Sequence, residues 1–184
     1  KLTIGFIGGS ITQGSLSSTP QKCYAYLVYE WWVRTFPQAE FKYVNAGIGG
    51  TTSQFGVARA QDDLLDAEPD FVIAEFSVND ESTGHFEETY EGLVRKILSS
   101  KSHPALMLVH NVCYNNGASA ELVHSRIARH YNIPSVSMQS TLYKALLNCR
   151  FDNRRITPDD LHPNDCGHEL VSMVITKRLE QIKN

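Results

Sequence analysis

Five short runs of the chain are almost continuously apolar: Leu2 to Ile7, Phe41 to Asn45, Phe71 to Phe76, Ala105 to His110 and Ile133 to Val136. They are rich in β-branched and aromatic residues and show little polar alternation, as expected of parallel strands covered on both faces. Between them, apolar positions recur at helical spacing over Tyr24 to Phe36, Thr52 to Asp66, Phe86 to Ser100, Ser119 to Tyr131 and Pro163 to Ile182. Leu122, Ile127 and Ala128 in one segment, and Leu170, Val174 and Leu179 in another, mark the inward stripes of these helices. Strand and helix therefore alternate, which predicts an α/β fold: a three-layer α/β/α sandwich with right-handed crossovers. Five strands suit a flavodoxin-like parallel sheet of order 2-1-3-4-5, whose ligands bind beyond the carboxyl ends of the strands near the switch in strand order. The longest irregular stretch runs from Cys149 to Pro163, and no repeat, low-complexity tract or linker breaks the pattern. Residues 1–184 read as a single domain.

The first strand pattern ends in a glycine-flanked turn, Gly8-Gly9-Ser10-Ile11-Thr12, and near the other end of the chain stands Asp159-Asp160-Leu161-His162-Pro163. A hydroxyl is a weak nucleophile at neutral pH and needs a base within hydrogen-bond reach and a third group to orient that base. Ser10, His162 and Asp159 can supply these roles. Phosphate-binding readings of the glycines fail on their own terms. Gly9 and Gly14 have phosphate-loop spacing, but Ser15-Leu16 stands where Lys-Ser/Thr is required. Gly47-Ile48-Gly49-Gly50-Thr51-Thr52 begins like a dinucleotide fingerprint and puts Thr52 at its third glycine. The G-x-S-x-G elbow is unmet because Thr12 replaces its last glycine. Taken singly, each segment also has an ordinary structural reading: Ser10 as a helix cap, Gly49 as a turn glycine, Asn79-Asp80 as a cap, and His162-Pro163 as a surface turn.

Four ordered blocks together resemble the SGNH (GDSL-type) hydrolase family: Phe6 to Thr12, Asn45 to Gly50, Ser77-Val78-Asn79-Asp80, and Asp159 to Asn164. The resemblance implies Ser10 as nucleophile, His162 as base and Asp159 as its acid, with Asp160 as a neighbouring carboxylate. It also implies an oxyanion hole made by the backbone N–H groups of Ser10 and Gly49 and the side-chain amide of Asn79. Such preorganised donors act where charge develops during acyl transfer. Two positions depart from the family pattern: Gly9 replaces its usual Asp, and Ser77 stands where Gly commonly precedes the Asn block. The Gly-Gly-Ser-Ile-Thr form of the first block is similar to that of carbohydrate O-acetyl esterases. The expected function is therefore a serine esterase acting on short-chain, chiefly O-acetyl, esters of carbohydrate. The alternatives are a lysophospholipase or thioesterase on the same triad, or a non-catalytic sugar-binding module. Gln13, Gln54 and Phe55, with the Asn111 to Asn116 loop and in particular Asn111 and Tyr114, are the candidate substrate contacts.

Composition narrows the partners. At 184 residues the chain can bury roughly 70% of its unfolded surface and so build its own core. A net charge of -3, from 17 Lys and Arg against 20 Asp and Glu, offers no basic stripe for nucleic acid, and no apolar run is long enough to span a bilayer. The expected partner is a small-molecule or acetylated carbohydrate substrate, with a companion carbohydrate-binding domain in the full-length chain. Lys1 leads directly into a strand pattern, so no secretory or transit segment is expected in this chain, which leaves a cytoplasmic and a secreted location both open. Four cysteines, Cys23, Cys113, Cys149 and Cys166, share no CxxC spacing and read as thiols rather than a disulfide scaffold. His162, Asp165 and His168 cluster with Asp159 and Asp160 but match no metal-ligand spacing, so neither metal nor cofactor is expected. Trp31 and Trp32 read as packing residues. Glu75, an acid inside an apolar strand, calls for a hydrogen-bond partner or a proton.

Overall fold

The structure, a computed structural model, describes residues 1–183. Five strands, β1 (Leu2–Gly8), β2 (Phe41–Gly47), β3 (Phe71–Glu75), β4 (Ala105–His110) and β5 (Ser135–Ser137), form one parallel sheet of order β2-β1-β3-β4-β5. The chain between them winds into α1 (Ser10–Gln13), α2 (Tyr24–Thr35), α3 (Ser53–Asp63), α4 (Gly84–Leu98) and α5 (Glu121–His130). After β5 come a π-helical turn over Gln139–Tyr143, α6 (Lys144–Leu147), a 3-10 turn at Asn153–Arg155 and the long α7 (Asp165–Lys183).

The apolar strands have helices to cover both faces, as their lack of alternation requires. Ile4, Phe6, Ile73, Met107 and Val109 pack with Tyr24, Ala25 and Val28 of α2 and Val171, Ile175 and Leu179 of α7. On the opposite face Ile7, Val72, Ala74, Leu106 and Leu108 meet Ala60 of α3, Leu93, Val94 and Ile97 of α4, and Ile127 and Ala128 of α5. Each fully buried side chain of this size contributes about 1.5–3 kcal/mol from desolvation. Trp31 and Trp32 are half-buried, with Trp32 ringed by Phe36, Phe41 and Phe71, in keeping with a packing role.

Several boundaries differ from the sequence expectation for local reasons. Helix α4 starts two residues early because Thr83 caps it, its hydroxyl accepting from the Phe86 N–H. Strand β5 starts later than Ile133, whose N–H instead closes α5 on the Ala128 carbonyl. The inward stripe of α5 is Val123, Ile127 and Ala128; Leu122 is 60% exposed and points away. In α7 the buried positions are Val171, Ile175 and Leu179, one register on from Leu170 and Val174. The four-residue α1 is too short for a periodic signal. It ends at Gly14, whose φ of 98° lets its N–H reach back to the Ser10 and Ile11 carbonyls.

Register decides where the chemistry falls. Gly8 at the end of β1 lies opposite Gly47 of β2 and Glu75 of β3. The segments that follow these three strands, which carry Ser10, Gly49 and Asn79, therefore leave the sheet at one level and along one edge.

Candidate active site

Ser10 sits at the first position of α1, just past β1, and its side chain is largely covered. Its Oγ lies 2.9 Å from His162 Nε2, and His162 Nδ1 lies 2.6 Å from Asp159 Oδ2. A carboxylate cannot donate, so Nδ1 carries the ring proton and Nε2 is left to accept from the serine hydroxyl. Residues 152 positions apart in the chain are thus brought into one relay.

Asp159 is held by more than the imidazole. Its Oδ1 accepts the backbone N–H groups of His162 at 2.7 Å and Leu161 at 3.0 Å, and the hydroxyl of buried Thr157 at 3.1 Å. Partial burial pushes this carboxyl upward, but the hydrogen bonds from the His162 ring and backbone and from Leu161 outweigh it and hold the group at about 2. Asp160 does not compete for the histidine. It adopts a left-handed φ of 67°, and its carboxylate turns to the Asn153 amide and, at 3.0 Å, to Arg154. Its own carbonyl accepts the Tyr114 N–H at 2.7 Å, which ties the histidine loop to the loop after β4.

The other motif residues gather around Ser10. A Cβ added to Gly49 would stand 3.6 Å from Ser10 Cβ, so this backbone passes directly beside the serine. The Gly49 N–H is engaged by Gln13 Oε1 at 2.9 Å. Asn79 lies over Gly9: a Cβ at Gly9 would come within 2.4 Å of Asn79 Oδ1. That contact gives the absence of a side chain at residue 9 a physical reason, because the usual Asp there would drive into the Asn79 amide.

Around these residues stands a frame that sequence reasoning missed. Buried Arg59 donates to the Ala46 carbonyl at 2.6 Å and the Gly8 carbonyl at 3.0 Å, locking the ends of β2 and β1 together. Asn45 bridges β2 to α1 by donating to the Thr12 carbonyl at 2.9 Å. Asp80, beside Asn79, accepts the Ser53 N–H at 2.9 Å and pairs with buried His124 at 3.1 Å. The one signal in the sequence was an Arg on the helical face that carries the small residues Ser53, Gly56 and Ala60, which are buried with it.

Glu75 finds its partner in Ser77, whose N–H and hydroxyl both reach its Oε1 at 3.0 Å. Burial still raises this carboxyl to about 7 against those hydrogen bonds, and its Oε2 has no partner. The Asn111 carbonyl lies at the same 3.0 Å from the Ser77 hydroxyl, whose single proton is shared between it and Glu75, so the residue that replaces the usual glycine braces the Asn79 turn from inside.

Two of the expected substrate contacts are corrected by the structure. Asn111 is 2% exposed and Tyr114 4%, since the loop after β4 folds inward and Tyr114 joins the core. Neither side chain can meet a substrate from solvent. Gln13, Gln54 and Phe55 are exposed near the carboxyl edge, with Gln54 Oε1 3.4 Å from His85 Nε2. His168 is buried with both ring nitrogens used, Nδ1 accepting from Tyr24 N–H and Nε2 donating to the Ser15 carbonyl. Asp165 is taken up by Ser18 and Lys22.

A parallel α/β/α sandwich with a serine, a histidine and an aspartate joined at its carboxyl edge is the layout of an SGNH-type ester hydrolase. Residues 6–170 match the GDSL-like lipase/acylhydrolase family, and the chain belongs to that family of carboxylic ester hydrolases. Among solved structures it resembles a two-domain esterase active on acetylated mannans, at 70% identity and a TM-score of 0.98, over 100% of this chain and 50% of that one. The chain thus spans about half the length of that relative. The fold also matches the acetylxylan esterase Axe2 of Geobacillus stearothermophilus, at 19% identity and a TM-score of 0.79, over 96% of this chain and 93% of that one. Thioesterase 1/protease 1/lysophospholipase L1 of Escherichia coli strain K12 is 25% identical over 99% of this chain and 85% of its own length.

Proposed function

We propose that this chain is a serine esterase that removes O-acetyl groups from an acetylated polysaccharide, mannan foremost. The observation that carries the reaction is the Ser10–His162–Asp159 relay at 2.9 and 2.6 Å. The 70% identity to an esterase active on acetylated mannans supports the choice of substrate.

In this reading Ser10 Oγ attacks the acetyl carbonyl carbon while its proton passes to His162 Nε2. The carbonyl oxygen becomes an oxyanion, received by the N–H groups of Ser10 and Gly49 and the amide of Asn79. Collapse of the tetrahedral intermediate expels the sugar hydroxyl, which leaves with the proton from His162, and an acetyl-serine remains. Water then attacks that ester, its proton going to His162 and on to Ser10 as acetate departs. Asp159 stays ionised throughout, keeps the ring in the reactive tautomer and stabilises the imidazolium. Gln13 and Gln54 are the proposed sugar contacts. Residues 1–184 are proposed to work as one SGNH domain, beside a companion carbohydrate-binding domain in the full-length protein. The two-domain build of the mannan-active relative supports that arrangement.

The test is acetate release from acetylated mannan, xylan and pectin oligosaccharides beside p-nitrophenyl esters from C2 to C8. Release from mannan and a rate that falls with acyl length are expected. A rate that rises from C2 to C8 would favour the second reading, a thioesterase or lysophospholipase, which the similarity to the Escherichia coli enzyme supports. Sugar binding without turnover of any ester would leave only a degenerate binding module.

A further inference from the structure

Gln13 stands three residues after Ser10 at the end of α1, and its exposed side chain does something the ester chemistry does not call for. Its Oε1 accepts the Gly49 N–H at 2.9 Å, and that N–H is one of the three donors the proposed mechanism assigns to the oxyanion. A donor already paired cannot stabilise a developing charge until its partner leaves. The backbone of Gln13 cannot retreat to release it. Asn45 holds the neighbouring Thr12 carbonyl at 2.9 Å, and Gln13 N–H is fixed to the Gly9 carbonyl at 3.0 Å. Only the side chain is free to swing.

The place it would swing to is visible. Gln13 also lines a groove of about 340 Å³ with Gln21, Tyr26, Tyr43 and Asn45, beside β2 and ending at Gly47, two residues before Gly49. Asn45 is spent on Thr12, Tyr43 and Gly47, which leaves the exposed amides of Gln13 and Gln21 beside the part-exposed Tyr26 ring, groups that suit a pyranose, whose hydroxyls pair with amides and whose apolar face lies on aromatic rings.

Building on the esterase reading, we infer that Gln13 is a substrate-displaced gate on the oxyanion hole. In the free protein its carboxamide occupies the Gly49 donor. When an acetylated sugar enters, the acyl oxygen takes that donor, and the released carboxamide hydrogen-bonds a hydroxyl of the sugar in the groove. An ester whose alcohol carries no hydroxyl must break the same bond with no such compensation. Gln13 thereby discriminates between alcohols while taking no part in the bond changes.

The experiment compares kcat/KM of the wild-type protein, Gln13→Ala and Gln13→Glu on p-nitrophenyl acetate and on an acetylated mannooligosaccharide. Gln13→Ala removes both the obstruction and the sugar contact. The net strength of a neutral hydrogen bond corresponds to about 2- to 10-fold in each. The p-nitrophenyl acetate value is therefore expected to rise by about 2- to 10-fold and the mannooligosaccharide value to fall by a similar factor. Gln13→Glu puts a carboxylate on the same donor, where it binds more strongly and repels the oxyanion, so both values are expected to fall by at least about 10-fold. An oligosaccharide-to-p-nitrophenyl acetate ratio that does not fall in Gln13→Ala, or a loss of p-nitrophenyl acetate turnover in that variant, overturns the gate and leaves the esterase reading standing. A wild-type protein that hydrolyses neither ester overturns both.

Discussion

Replacing Gly9 by Ala is expected to disable the proposed site while leaving the Ser10–His162–Asp159 hydrogen bonds untouched. The added Cβ would stand 2.4 Å from Asn79 Oδ1, so the Asn79 side chain must yield by about 1 Å to reach ordinary contact. The obstructing atom is the tip of a side chain and holds no hydrogen bond, so moving it costs little stability, within about 1 kcal/mol. For catalysis the same 1 Å matters far more. Misplacing a reacting or stabilising group by that distance costs about 10²-fold, and complete loss of one oxyanion donor costs about 10²- to 10³-fold in kcat. Gly9→Ala should therefore lower kcat on p-nitrophenyl acetate by about 10²-fold with KM and Tm nearly unchanged, and labelling of Ser10 by a phosphonate should persist at a reduced rate. Asn79→Ala should lose a similar factor. Because both changes act on one amide, the double variant should be no worse than the poorer single variant, a coupling of about 2.7 kcal/mol in a double-mutant cycle for 10²-fold single losses. Gly9→Ala turnover within threefold of wild type, or additive losses in the double variant, would refute the assignment of Asn79 as the donor that Gly9 makes room for.

Ser10→Ala and His162→Ala should each lower kcat by at least about 10³-fold with the fold intact, and Asp159→Asn by less, as steady-state kinetics and circular dichroism would establish. Asp160→Asn should keep kcat within about threefold, since this side chain faces Asn153 and Arg154 and Asn tolerates its left-handed backbone. Glu75 carries a pH signature. Its folded value of about 7 lies above the ordinary 4.5, so the folded state holds its proton more tightly; this stability is fully present below pH 4.5 and lost as pH rises through 7. The difference corresponds to about 3 kcal/mol across that window. Glu75→Gln, which keeps an acceptor for Ser77 and carries no charge, should flatten the fall of Tm between pH 5 and 8. A fall in Tm as steep as that of the wild type would show that Glu75 is not the group responsible.

The outline of the fold was legible because its determinants are local. Continuous apolar runs and three-to-four spacing reflect how each strand and helix buries itself, so the five strands, the main helices and the sheet order all followed from pattern and chain-connection rules. Errors came where periodicity had too few residues to act on, as in α1, α6 and β5, or where an apolar residue sat one position off the buried stripe, as with Leu122.

The sequence by itself determined which residue types stand after which strands, and so named Ser10, Gly49, Asn79 and the Asp159 to His162 segment as one set. The tertiary structure alone decided how they face one another. Asp159 and Asp160 are neighbours of identical chemistry, and only the left-handed turn at Asp160 sends one carboxylate to His162 and the other to Arg154. Asn111 and Tyr114 have the composition of a sugar-binding loop, yet the loop folds inward because Tyr114 gains more from the core than from solvent. The pairing of Gln13 with Gly49, the seat of Asn79 over Gly9 and the clasp of Arg59 on two strand ends join residues from 13 to 70 positions apart. Such contacts depend on the register of a folded sheet, which brings distant strand ends to one level and leaves no periodic trace along the chain.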